Sequence, residues 1–183
     1  YALVLETFVI IGSSILVLVV VALDVLKVIF IGDPEYWQAM YIVPIILLAN
    51  FCLGIYQNLS VWYKVTDMTR FAAYISGVGA LITLLLNIIL IPNYSFLGSA
   101  AATLIAYFTM ALLSYVIGKK YYPIPYDISK ILFYIVLSIS LSSISFYGFR
   151  VNILVGIVCI MVMNLVILIR EKRQIIKLFN LIR

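Results

Sequence analysis

Apolar residues run in long blocks along this chain, with short polar stretches between them. Six blocks extend approximately from 3 to 23, 37 to 62, 71 to 91, 97 to 117, 128 to 147 and 151 to 169. Each reaches the roughly 18 residues that a helix needs to cross a bilayer core of about 30 Å. The stretches "KVTDMTR", "IPNYSF", "GKKYYPIPYD" and "YGFR" separate the later blocks. In hydrocarbon every backbone amide needs a partner within the protein, and the alternating segments of about ten residues that mark barrel strands are absent. The pattern predicts an all-α fold, a polytopic transmembrane bundle of six helices.

Composition agrees: 66% of the 183 residues are hydrophobic and 10% charged, and the mean hydropathy is +1.23. Such values lie far from those of water-soluble domains. On a six-helix zigzag, Lys64, Arg70, Lys119, Lys120, Lys130, Arg170, Lys172, Arg173, Lys177 and Arg183 fall on one side, ten of the twelve cations, and Lys27 and Arg150 on the other. The positive-inside rule makes the rich side cytoplasmic, and with it both ends of the segment. The net charge of +5 therefore has a membrane explanation, and nothing in it favours nucleic acid as a partner.

The domain reading has four parts. Residues 1–118 form four transmembrane helices, 119–127 a cytoplasmic linker, 128–169 a final transmembrane pair, and 170–183 a cytoplasmic amphipathic tail. Pro123 and Pro125 should hold the linker extended. In the tail, Ile175, Leu178, Phe179 and Ile182 share one helical face opposite Arg173, Lys177 and Asn180, a pattern suited to the anionic inner leaflet. The chain opens at Tyr1 within a helix, without a signal-peptide pattern, so upstream sequence is expected. Cys52 and Cys159 lie in different apolar helices and read as small hydrophobes, not as a disulfide or a metal site. "NLS" at 58–60 and "NYS" at 93–95 match a glycosylation triplet that chance explains.

Small and polar residues recur at helical spacing. Gly98, Ala102 and Ala106 leave one edge of the fourth helix without bulk, which lets a neighbouring helix approach closely. Pro92 should end the third helix and "PNYSF" make the connection, with Ser76, Ala80, Thr83 and Asn87 lining the facing side of a packed hairpin. On the second helix Asn50, Gly54, Gln57 and Asn58 share a face. Its amides fit either a hydrated pathway or interhelical packing, with Gln57 and Asn58 also near an interface. Pro44 in the same helix should bend it. Ser138, Ser142 and Ser145 on the fifth helix read as packing. Glu6 should reach the headgroups from its helix end, and Asp24 should pair with Lys27.

The stretch "NLSVWYKVTDMTRFAAYISGVGALITLLLNIILIPNYSFLGSAAATLIAYF", continued by "SYVIGKKYYPIPYDISKI", resembles the C-terminal region of bacterial oligosaccharide flippases. These O-antigen and capsular polysaccharide transporters belong to the multidrug, oligosaccharidyl-lipid and polysaccharide exporter superfamily. The likeness rests on Trp62-Tyr63-Lys64, the helix end from Asn87 to Pro92, the start at Gly98 and the "YYPIPYD" linker. It departs at Tyr94-Ser95, where the family usually reads Tyr-Gly.

The resemblance implies the second-lobe part of a 12 to 14 helix transporter in a bacterial inner membrane. Such a transporter would move undecaprenyl-diphosphate-linked oligosaccharide from the cytoplasmic to the outer leaflet. The implied partners are that lipid-linked oligosaccharide, membrane lipids, the N-terminal lobe of the same protein and polysaccharide polymerase machinery, and no cofactor is expected. Asn50, Gln57, Asn58 and Asn87 are the substrate-pathway candidates, and Lys64 and Arg70 the candidates to meet the diphosphate.

Three alternatives remain open on the residues, one of them an accessory scaffold without transport. A cation-coupled multidrug exporter of the same superfamily should carry a membrane-embedded acid, and none lies at mid-helix. A membrane enzyme needs acid–base or nucleophilic groups, yet histidine is absent and no Ser-centred or Cys-centred nucleophile motif occurs. No catalytic residue is therefore expected in this segment.

Overall fold

The computed structural model describes residues 1–30, 37, 40–148 and 152–182, the side chains of 30 and 173–182 excepted. All regular structure among them is helical: α1 (Ala2–Phe30), α2 (Val43–Leu59), the short α3 (Val61–Val65), α4 (Arg70–Tyr121), α5 (Ile128–Ser143) and α6 (Ile153–Ile182). A π-helical turn, Ile144–Gly148, continues α5. Five helices among the described residues are long and apolar enough to cross a membrane.

The longest, α4, spans 52 residues and folds back on itself at Ser95, whose φ of 49° and ψ of −128° break the helix. Gly98 then packs against Leu90, and Gly79 against Met110, so the arms before and after Ser95 run antiparallel. Helix persists through Pro92 to Tyr94. The connection is thus one residue, shorter than the five-residue turn expected from the sequence. A proline removes a single N–H from the ladder, and that loss is tolerated near a helix end. The hairpin uses the bare edge anticipated in its second arm, where Gly98 is buried and Ala102 and Ala106 are fully buried. In the first arm the buried positions are Ile75 and Gly79, not the stripe of Ser76, Ala80, Thr83 and Asn87.

Pro44 occupies the first turn of α2, following a 3-10 turn at 40–42. There its missing N–H has no helical acceptor to lose, so it starts the helix and does not bend it. Two aromatic rings lock α1 to α2: Phe51 lies over Gly12 and Phe8 over Gly54, with ring centroids 5.9 Å apart. The second helix packs most extensively on α4, while α5 and α6 pack on α1. Ser138, Ser142 and Ser145 are all buried, in agreement with a packing role.

Helix α4 continues through Lys119 and Lys120 to Tyr121, and only 122–127 is non-helical, tightened by the Tyr126 amide donating to the Ile124 carbonyl at 2.9 Å, before Asp127 caps α5 by accepting from the Lys130 amide at 3.0 Å. No break separates α6 from the residues read as a tail. The amphipathic pattern beyond Lys172 lies outside the described side chains, and the loop cation Arg150 lies outside the described residues.

Opposite ends of the bundle differ in charge. Trp62 stacks on Tyr121 at 6.0 Å, and Tyr115 meets Tyr126 at 6.3 Å. These contacts gather Lys64, Arg70, Lys119, Lys120 and Lys130 at one end, hereafter the basic end. At the Ser95 end Lys27 pairs with Asp24, as expected, and lies 5.0 Å over the Trp37 ring.

Candidate functional site

Between the arms of α4 a groove of about 670 Å³ opens outward. Its lining is mostly apolar, from Leu84, Ile88, Tyr107 and Met110, with Gly79 and Ala80 leaving room and Ser76, Thr83 and Asn87 as the polar side chains. The stripe read as hairpin packing is therefore the lining of a groove. Ser76 and Thr83 donate to carbonyls of their own helix, at 2.7 Å to Ala72 and 2.9 Å to Gly79, which leaves hydroxyl lone pairs for a ligand or water. Asn87 is half-buried, and its Oδ1 has no hydrogen-bond partner among the described residues. A buried amide oxygen without a donor costs free energy in an apolar medium, so this atom favours an incoming donor. Arg70, exposed, begins the same arm, and exposed Lys64 lies in α3 just before it.

The amides of α2 do not share one environment. Asn50 and Gln57 are exposed, Asn58 is half-buried, and Gly54 between them is covered by Phe8. Asn50 donates to the Ile46 carbonyl and Asn58 to the Gly54 carbonyl, both at 2.9 Å. This return to the preceding turn satisfies the amide donors within α2 itself. Of the four pathway candidates, Asn87 alone lines the groove.

Two side-chain assemblies at the basic end escaped the sequence reading. Trp62 Nε1 donates to the Ser114 carbonyl at 3.1 Å and meets Ser114 Oγ at 3.3 Å. Its ring rests on Gly118, where a Cβ would stand 2.7 Å from Cδ1. Phe71 lies 5.3 Å from the Trp62 ring and 5.2 Å from Tyr121. The aromatic cluster thus fastens α3 to both arms of the hairpin, directly below the groove.

The other assembly is ionic. Lys130 Nζ lies 3.1 Å from Glu6 and 2.8 Å from Glu171, and the Tyr134 hydroxyl donates to the second Glu171 oxygen at 2.9 Å. Glu6 accordingly enters an interhelical ion pair in place of the headgroup position expected for it. Glu171, read as part of a cytoplasmic amphipathic tail, is buried. Its signal was periodicity: Gly156, Cys159, Met163 and Glu171 recur at helical spacing and form the buried face of α6.

Compared with protein-family models, curated proteins and solved structures, the chain matches none.

Proposed function

We propose that this chain is the C-terminal part of a membrane transporter that flips a lipid-linked oligosaccharide. The doubled-back α4 makes two crossings, so the segment crosses six times, and the basic end faces the cytoplasm of a bacterial inner membrane. The observation that carries this reading is the groove holding Ser76, Thr83 and Asn87 on the helical arm that Arg70 begins. From Ser76 to Asn87 it rises about 17 Å, roughly half the hydrocarbon core. Polar side chains along such a path give hydroxyl-rich sugar a partner where lipid offers none. Arg70, about 9 Å below Ser76 on the same helix, suits a diphosphate at the mouth, since a guanidinium binds phosphate oxygens in pairs. Lys64 adds a second cation there, and Asn50 and Gln57, exposed on α2, are available to the remainder of the path.

An alternative reading, a cation-coupled exporter of the same superfamily, draws support from the acids at the basic end. Glu6 and Glu171 lie within membrane-spanning helices, although Lys130 already occupies the position between them. Deletion of the gene for the complete protein distinguishes these readings. Loss of surface polysaccharide with lipid-linked oligosaccharide accumulating on the inner leaflet is the expected result. Normal polysaccharide together with drug sensitivity would transfer support to the exporter.

A further inference from the structure

A separate cavity of about 430 Å³ lies at the Ser95 end, between α1, the π-helical turn and the start of α6. Its volume is that of a small-ligand site, about 300–1,000 Å³. Asp24 and Lys27 on α1, Ser145 in the π turn and Asn152 just before α6 are its polar side chains, and the exposed Val25 and Ile153 stand among its apolar ones. None of these residues lines the groove of α4. Gly156 gives the cavity its floor, since a Cβ there would stand 2.6 Å from Val21 Cγ1 and 3.6 Å from Ser145 Oγ. Single π turns of this kind often mark functional sites.

The polar groups retain binding capacity. Lys27 donates to Asp24 Oδ1 at 2.5 Å, and Asp24 makes further contacts, yet its side chain is 38% exposed. A carboxylate accepts up to about four hydrogen bonds. Ser145 is buried, and no hydrogen bond among the described residues engages its hydroxyl. Asn152 uses its Oδ1 on the Leu154 amide at 3.2 Å, which leaves its amino group as a donor. Beside Lys27, the buried Trp37 Nε1 has no acceptor among the described residues. A buried donor in that state favours an incoming acceptor oxygen.

In a bilayer the 29 residues of α1, about 43 Å long, exceed a hydrocarbon core of about 30 Å, which puts its last two turns, with Asp24 and Lys27, near the headgroups. Opposite charges side by side there suit a ligand that is itself zwitterionic. An anionic lipid would be repelled by Asp24, and a choline headgroup has no N–H to give the carboxylate.

We propose that this cavity binds the phosphoethanolamine headgroup of a membrane lipid. The ligand ammonium donates to Asp24, its phosphate accepts from Lys27 and the Ser145 hydroxyl, and its acyl chains leave past Val25 and Ile153. A partly exposed ion pair contributes little by itself, so the charges of the ligand exchange into it at small cost. The inference is independent of what the protein carries.

Native mass spectrometry of the purified full-length protein in detergent, stripped of lipid and then supplied with one lipid at a time, gives the test. Dioleoyl phosphatidylethanolamine should bind about tenfold more tightly than phosphatidylcholine or phosphatidylglycerol with the same chains, as one added charge-assisted hydrogen bond gives. Asp24→Asn should abolish that preference. Ser145→Ala removes a hydroxyl that engages no described residue, so folding should persist, and phosphatidylethanolamine should bind about threefold more weakly. Glycerophosphoethanolamine, which lacks acyl chains, should fail to compete. Equal affinity for the three lipids in the parent would overturn the proposal, as would a preference that survives in Asp24→Asn or binding unchanged in Ser145→Ala. Competition by glycerophosphoethanolamine at matching concentration would overturn the lipid assignment and make the ligand a soluble one.

Discussion

A Cβ on Gly98 would stand 2.6 Å from the carbonyl oxygen of Leu90. In a straight helix residues eight apart are separated by about 12 Å, so this approach exists only because α4 doubles back. The backbone oxygen has nowhere to move. Gly98→Ala should therefore destabilise the protein by roughly 1–3 kcal/mol, the usual cost of overpacking. Thermal unfolding in detergent reads it, and an unchanged melting temperature would mean that the arms do not meet here.

Ser95 holds the opposite lever. Its φ of 49° with ψ of −128° is the backbone of the first central residue in a type II′ turn, where glycine is favoured. Such strain costs of order 1–3 kcal/mol in a residue with a side chain. Ser95→Gly should raise the melting temperature. A fall would show that the Ser95 side chain contributes more than its backbone costs.

Trp62 should behave as an anchor whose ring and N–H are separable. Trp62→Phe retains an aromatic ring over Gly118 and loses the bond to Ser114, costing about 1 kcal/mol. Trp62→Ala empties a fully packed site, and losses of about 3–5 kcal/mol are usual there. Equal effects of the two changes would refute the separation.

Orientation is testable by labelling single cysteines introduced in place of Tyr94, Asp67 and Pro123 in a version lacking Cys52 and Cys159. The residue at 94 should react with an impermeant thiol reagent added outside, and those at 67 and 123 only after permeabilisation. The basic end carries Lys64, Arg70, Lys119 and Lys120, and the positive-inside rule predicts that it faces the cytoplasm. The reverse pattern would invert the proposed topology.

The long apolar helices were legible in the sequence because a helix able to cross a bilayer must be apolar along its whole run. Gly98, Ala102 and Ala106 were legible for a related reason: backbone approach needs small residues at one spacing, and nothing else replaces them. Position along a helix was less visible. Pro44 differs in effect at a first turn and at mid-helix, and hydropathy carries no marker between the two. The ionic assembly was hidden because Lys130 meets residues 124 and 41 positions away, and because the basic neighbours of Glu171 resemble a solvated tail. For Ser76, Thr83 and Asn87 the pattern gave the stripe but not its side. Whether a small polar face packs or opens depends on the partner arm, which buries Ile75 and Gly79 instead.

The central claim is that the groove beside Asn87 carries a glycan through the membrane, and transport by the reconstituted complete protein tests it most directly. Thr83→Val with Asn87→Leu removes two of the three polar side chains of the groove but keeps similar volume in an exposed site, so folding should persist. Vesicles containing this variant should translocate lipid-linked oligosaccharide at least about tenfold more slowly than the parent, as loss of about 1.4 kcal/mol of polar stabilisation along the path would give. A folded double variant that translocates at the parental rate would contradict the claim.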